Sequence, residues 1–196
     1  MSGIEAFSPK GMLHKGWSAQ VEDYAIACGW VLQGKAFLVG DSAGGIYSFE
    51  GKSGDVIWKK KEVHKGGLLA MSIHPDGKSF ATAGQDGRVL IWDSKDGELS
   101  KGLDIGQGWA EHIKWSPDGK FLAVTLSRYV YVFCANGQEQ WRSDQHPSTV
   151  SAIAWSNSNE LATACYGRVT FFDVISDKVN QKLEWQGSLV SMVLSP

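Results

Sequence analysis

Proline is scarce in this chain, 5 of 196 residues, and cysteine scarcer, with 3. No apolar run approaches the roughly 20 residues that a membrane-spanning helix requires. Cys28, Cys134 and Cys165 are odd in number, far apart and set in apolar, strand-like surroundings. That pattern argues against a disulfide framework and a zinc site, and predicts reduced, buried thiols. Neither charge sign is in surplus: the formal net charge is −2, so the chain lacks the general field that draws nucleic acid or anionic membrane surfaces. The opening MSGIEAFSPK has no basic segment leading into an apolar one, and no N-x-[ST] sequon occurs, which predicts a cytoplasmic protein. Long stretches with a 3.6-residue apolar period are also missing, which argues against helices.

What the chain has in quantity is 23 glycines and 9 tryptophans, the composition of aromatic-rich strands joined by tight turns. Four segments align: ACGWVLQGKAFLVG, AMSIHPDGKSFATAG, HIKWSPDGKFLAVT and AIAWSNSNELATAC, with SMVLSP beginning a fifth. The residues before their turns, Trp30, Ile73, Trp115, Trp155 and Leu194, are 43, 42, 40 and 39 residues apart. A second anchor, Phe49, Trp92, Phe133 and Phe172, repeats at 43, 41 and 39. HPDGK and SPDGK suit hairpins with Gly77 or Gly119 at positive φ, and QDG, ANG, KSGD and SKDG suit further tight turns. Each unit therefore reads as four antiparallel strands. Four-stranded units at this period stack radially, because each sheet has apolar faces that only its neighbours can cover.

The expectation is an all-β propeller of four-stranded antiparallel blades, about four complete and a fifth partial, forming the N-terminal part of a larger propeller. The divisions are 1–20 for an N-terminal segment with an outer closing strand, 21–63, 64–105, 106–144 and 145–185 for the blades, and 186–196 for the first strand of blade five. Trp17 stands 41 residues before Trp58, which suggests the closing strand. A ring begun in this way is expected either to continue in a longer chain or to self-associate through its open faces.

From about Val21 onward the chain resembles WD40-repeat proteins of bacterial type. Unit two carries the resemblance best, in HKGGLLAMSIHPDGKSFATAGQDGRVLIWD. The resemblance implies a hydrogen-bonded structural tetrad of His64, Thr82, Asp86 and Trp92. The physical case is independent: a buried indole has one donor and a buried carboxylate must be satisfied, so a closed network is favoured over orphaned groups. The other units are incomplete. Phe49, Phe133 and Phe172 replace the tryptophan, unit one has no matching aspartate, unit three has Gln107 or Gly108 in place of the histidine, and unit four keeps His146 and Thr163 but lacks the aspartate. A nucleophile, base and orienter are conceivable among His, Thr and Asp, but inside a repeat signature those types are struts.

The resemblance further implies a non-catalytic scaffold for protein partners. Its crossover loops and second-to-third-strand turns would line one face of the disc, which nominates Lys65, Gln85, Gln107, Trp109, Arg128, Gln145, Tyr166, Arg168 and Gln186; Trp, Tyr and Arg dominate binding energy at interfaces. Trp109 and Tyr166 have a competing reading as packing between blades. LVGDSAGGIYSFEGKSGDVIWK is similar to blades of pyrroloquinoline-quinone propellers, which supplies the enzyme alternative, a quinoprotein dehydrogenase. SAIAWSNSNELATACYGRVTFFD is similar to cyanobacterial WD40 proteins associated with a CobW-type metallochaperone GTPase, a candidate partner.

Three further motifs have plainer readings. EGKSG lacks the upstream glycine and the helix of a phosphate loop and reads as a turn. KKKEVHK reads as a solvated edge, with an anion patch as its alternative. His14, His64, His74, His112 and His146 have no ligand spacing, so no metal and no cofactor are expected.

Overall fold

A computed structural model describes residues 16–195. His14 and most of the 1–20 segment lie outside the described residues. The described residues form four separate four-stranded antiparallel sheets, each in simple up-and-down order. The first blade holds β1 Ala25–Val31, β2 Ala36–Asp41, β3 Ile46–Glu50 and β4 Val56–Lys60. The second holds β5 Leu68–Ile73, β6 Ser79–Gly84, β7 Arg88–Asp93 and β8 Leu99–Asp104. The third holds β9 Ile113–Trp115, β10 Phe121–Leu126, β11 Tyr129–Cys134 and β12 Glu139–Arg142. The fourth holds β13 Ala152–Trp155, β14 Glu160–Cys165, β15 Arg168–Asp173 and β16 Lys178–Glu184. No helix among the described residues is long and apolar enough to cross a membrane.

The core lies between blades, because the strand period of two sends alternate side chains to opposite neighbours. Phe80 on β6 joins Leu38 and Ile46 of the first blade, while Ala81 and Ala83, the alternate residues, join Leu122 and Val124 of the third. On β10, Phe121 and Ala123 turn the other way, toward Ile153 and Leu161 of the fourth blade. All these strand residues are nearly inaccessible to solvent. Removal of such surface from water is the main favourable term in folding.

A second contact crosses each junction at the rim. Trp58 of β4 donates its indole N–H to the Ser94 carbonyl in the next blade's outer hairpin (3.3 Å) and stacks near Phe80. Trp141 of β12 donates to Asp177 in the fourth blade's hairpin and packs on Phe172. At the corresponding register position of the second blade the residue is Lys101, opposite Ile91, and its ammonium reaches the Asn136 carbonyl of the third blade. Trp17 does the same for the first blade, donating to the Gly51 carbonyl (2.9 Å) and lying against Phe37 and Phe49. Three of the four latches lie over a hairpin glycine: a Cβ on Gly54 or Gly97 would meet the Trp17 or Trp58 ring within 2.8 Å, and one on Gly137 would displace the Lys101 side chain. All three glycines also have positive φ.

Among the described residues, 16–20 and 186–195 carry no strand, although Trp17 occupies a latch position and the Ser151 hydroxyl donates to the Leu189 carbonyl beside β13. A strand assignment needs a laddered neighbour, and neither segment has one among the described residues. The expectation of buried thiols holds for Cys165 only; Cys134 is half-buried and Cys28 exposed. Cys28 shares with Ile26 and Trp30 the face of β1 turned away from the second blade, which is exposed among the described residues.

Replacing Trp141 with alanine removes a buried indole and its hydrogen bond at once, and is expected to lower the unfolding free energy by about 3 to 5 kcal/mol. Urea denaturation checks this; a loss below about 1 kcal/mol would show that the rim contact is not structural.

Candidate functional site

Antiparallel up-and-down order places the crossovers between blades and the β2–β3, β6–β7, β10–β11 and β14–β15 turns at the same end of the sheets. This loop end holds His64 and Asp86 of the tetrad and the recognition candidates, while Thr82 and Trp92 lie deeper along β6 and β7. In the second blade Trp92 Nε1 donates to Thr82 Oγ1 (2.9 Å), and Thr82 Oγ1 lies 2.8 Å from His64 Nε2. His64 Nδ1 lies 2.9 Å from Asp86 Oδ1, and Asp86 also accepts the backbone N–H groups of Lys65 (3.0 Å) and Arg88 (3.2 Å). The hydroxyl, receiving one proton from the indole, passes its own to Nε2, so Nδ1 carries the ring proton toward the carboxylate. Each polar group is satisfied, and no substrate-facing nucleophile is left over. The structure thus brings together all four predicted tetrad residues.

Electrostatics support a neutral imidazole. Burial pushes the His64 pKa below its ordinary value and outweighs the pull of Asp86 in the other direction. Burial acts to raise the Asp86 carboxyl, but hydrogen bonds from His64 and from the Lys65 and Arg88 amides hold it below the usual range.

The incomplete blades substitute other groups. A Cβ at Gly84 would fall 2.4 Å from the His64 ring, so in this blade the imidazole needs glycine there, whereas the fourth blade has Cys165 at the equivalent position. The first blade has no such histidine, and its equivalent strand residue, Asp41, is buried, accepting Gly45 N–H (2.6 Å) and the Tyr47 hydroxyl (3.0 Å). In the fourth blade His146 Nε2 is 2.9 Å from Thr163 Oγ1, and the Arg128 carbonyl of the third blade takes the role of the missing aspartate, 3.1 Å from Nδ1. Burial lowers the His146 pKa as well.

Of the recognition candidates, Lys65, Gln107, Trp109, Gln145, Tyr166 and Gln186 are exposed, and Gln85, Arg128 and Arg168 are half-buried. Trp109 is 55% and Tyr166 62% accessible, so neither packs between blades. Arg128 is partly committed to structure: its Nε donates to the His146 carbonyl (2.6 Å). Trp185, 65% accessible, was not among the candidates; its backbone N–H donates to the Gly167 carbonyl (2.9 Å), which sets it beside the Tyr166 turn. An aromatic next to Gln186 in a crossover was the available signal. Glu62, from the KKKEVHK run, and Arg88 line with Lys65, Gly66 and Asp86 a cleft of about 760 Å³ at the first junction. In the KKKE run, Lys59 and Lys61 pair with Glu22 and Lys60 with Glu98. No cluster of three or more metal-ligating side chains occurs among the described residues.

Four-stranded blades stacked side by side, each tied to the next through apolar faces and a rim latch, define a β-propeller. Residues 57–93 match the family model described as WD domain, G-beta repeat, so the fold contains a WD40 repeat. The match begins in β4 and ends in β7, so the sequence repeat is staggered against the blade. Relatives include Protein HIR1 of Candida albicans, 27% identical over 152 residues, covering 68% of this chain and 17% of that protein. Protein HIRA of Homo sapiens is 30% identical over 134 residues, with 50% and 13% covered. The p21-activated protein kinase-interacting protein 1-like of Danio rerio is 26% identical over 131 residues, with 62% and 35% covered. Among solved structures, a chain of the mitotic checkpoint complex superposes with a TM-score of 0.79 at 18% identity, over 91% of this chain and 56% of that one. The β-propeller domain of Cps50 (Swd1) from Myceliophteria thermophila gives 0.77 at 15%, over 92% and 61%. These curated relatives are thus several times longer than the stretch they share with this chain.

Two outcomes test the tetrad. Trp92→Phe leaves Thr82 without its donor and is expected to lower stability by about 1 to 3 kcal/mol in urea denaturation. For pH, His64, His112 and His146 all have folded pKa values lowered by burial. Below about 6.5 the unfolded chain takes up protons that the fold resists, so stability is present above that pH and is lost as pH falls, by up to about 1.4 kcal/mol per pH unit for each histidine. Denaturation midpoints that stay level from pH 8 to pH 5 would refute this account.

Proposed function

We propose that this WD40 propeller is a non-catalytic scaffold that receives a protein partner on its loop end. The observation that supports the reading best is the pairing of Tyr166 and Trp185. Both are more than 60% accessible and both sit on turns joined by backbone hydrogen bonds, from Trp185 to Gly167 and from Gly167 to Gly187. Arg168 stands beside them, and the cleft it lines also includes Gln145 and Lys182. Exposed aromatics on backbone-anchored turns supply large contact area with little further ordering, and a neighbouring cation adds directional contacts. One relative is named as interacting with a protein kinase, which supports the same class of role without naming this chain's partner.

The test uses the full chain as bait in a lysate of its source organism. Tyr166→Ala with Trp185→Ala is expected to reduce recovery of the captured protein about tenfold or more, since two interface anchors contribute well over 1.4 kcal/mol. The melting temperature should stay within about 1 °C, because neither side chain is buried. Undiminished recovery would place the interface elsewhere.

A further inference from the structure

We infer that the end of the propeller opposite the loop end carries a second recognition site, a cationic cleft between the first two blades that takes an acidic peptide segment. The cleft has a volume of about 390 Å³ and is lined by Leu32, Gln33, Lys35, Asp76, Lys78 and Lys95. The lysines come from three different turns: Lys35 follows the β1–β2 turn, Lys78 ends the β5–β6 turn, and Lys95 lies in the β7–β8 hairpin.

Backbone hydrogen bonds lace these turns together. Leu32 N–H donates to the Gly77 carbonyl (3.0 Å), and Ser94 N–H donates to the Lys78 carbonyl (2.8 Å). The three cations are therefore presented by a fixed frame. Among the described residues the lysine ion pairs involve Lys59, Lys60, Lys61 and Lys120, and none of the cleft lysines has a carboxylate partner. The one acid in the lining, Asp76, is already engaged by His74 and by the Lys78 amide.

The turn supplying the apolar part of the lining breaks a local rule. Leu32 and Gln33 have φ of 53° and 58°, left-handed values that non-glycine residues seldom adopt, and Gly34 continues the run at 80°. Such residues persist only where the surroundings hold them, at an expense of about 1 to 3 kcal/mol each. Here the turn keeps Leu32 half-buried against the core of the first junction, at the edge of the cleft. Ammonium groups spread over three turns, with an aliphatic surface among them, match an extended segment carrying several carboxylates and an apolar side chain.

A fluorescein-labelled peptide of alternating glutamate and leucine, titrated with the full chain and followed by anisotropy, tests the site. Binding is expected at low salt, weakening as salt rises. The triple variant Lys35→Glu, Lys78→Glu, Lys95→Glu is expected to weaken it at least tenfold, whereas Lys52→Glu, Lys120→Glu, Lys178→Glu, with the same change in net charge, should weaken it less than about threefold. Circular dichroism should report native sheet for both variants. No binding by the unaltered chain, equal losses in the two triple variants, or displacement of the peptide by pyrophosphate at the concentration at which a glutamate-leucine competitor displaces it would each overturn the proposal. Tyr166→Ala with Trp185→Ala should leave this binding unchanged, which separates it from recognition on the loop end.

Discussion

Each sheet in this protein is apolar on both faces, and no sheet can hide both by itself. The packing of blade on blade is the constraint from which the rest of the structure follows. It explains why the apolar residues of β6 and β10 alternate between two cores rather than sharing one, and why the largest buried side chains, such as Phe80 and Leu38, meet at a junction. It also explains why the polar networks matter. A blade must be stiff to serve as a wall, and the tetrad ties its inner strands together through side chains, independently of the ladder hydrogen bonds. Because energy in such a stack is held in neighbour contacts, the loops are relieved of most structural work and are available for recognition.

The tetrad is better described as a space to be filled than as four obligatory residues. In the second blade an imidazole enters against a bare strand, at Gly84. Where it does not enter, a carboxylate can grow from the strand itself, as at Asp41, and find a hydroxyl from Tyr47 on the adjacent strand. Where the acid is missing, a peptide carbonyl from the preceding blade accepts the imidazole proton, as at Arg128. The three solutions share a requirement, that no buried donor be left alone, and differ in whether the partner comes from the same blade or from its neighbour. In the fourth blade stiffness and junction are therefore coupled.

Much of the fold was legible because the repeat recurs every 39 to 43 residues and its turns use glycine in the usual places. The tetrad of the second blade was readable for the same reason, each type standing at its spacing. Other features left no such trace. Lys101 holds a junction that tryptophan holds elsewhere, and an aliphatic chain ending in a donor does not register in an aromatic periodicity. The left-handed turn at Leu32 and Gln33 has neither glycine nor asparagine at its first two positions, so turn chemistry could not indicate it. The Arg128 clamp depends on a backbone acceptor, and backbone acceptors are the same at every residue. Exposure of Trp109 and Tyr166 was open in the sequence because an aromatic in a crossover suits either a seam or a surface.

The rim latches differ in one respect that bears on how such a protein can diverge. At three of them the acceptor is a peptide carbonyl, belonging to Gly51, Ser94 or Asn136, and any residue could supply that atom. The side chains of those hairpins are consequently free to drift, provided the glycine beneath the latch is kept. The latch from Trp141 instead ends on the carboxylate of Asp177. That hairpin alone among the four must supply its acceptor from a particular side chain, so the outer rim of the protein has three sectors that accept new surface character around a fixed glycine, and one whose acceptor residue is itself fixed.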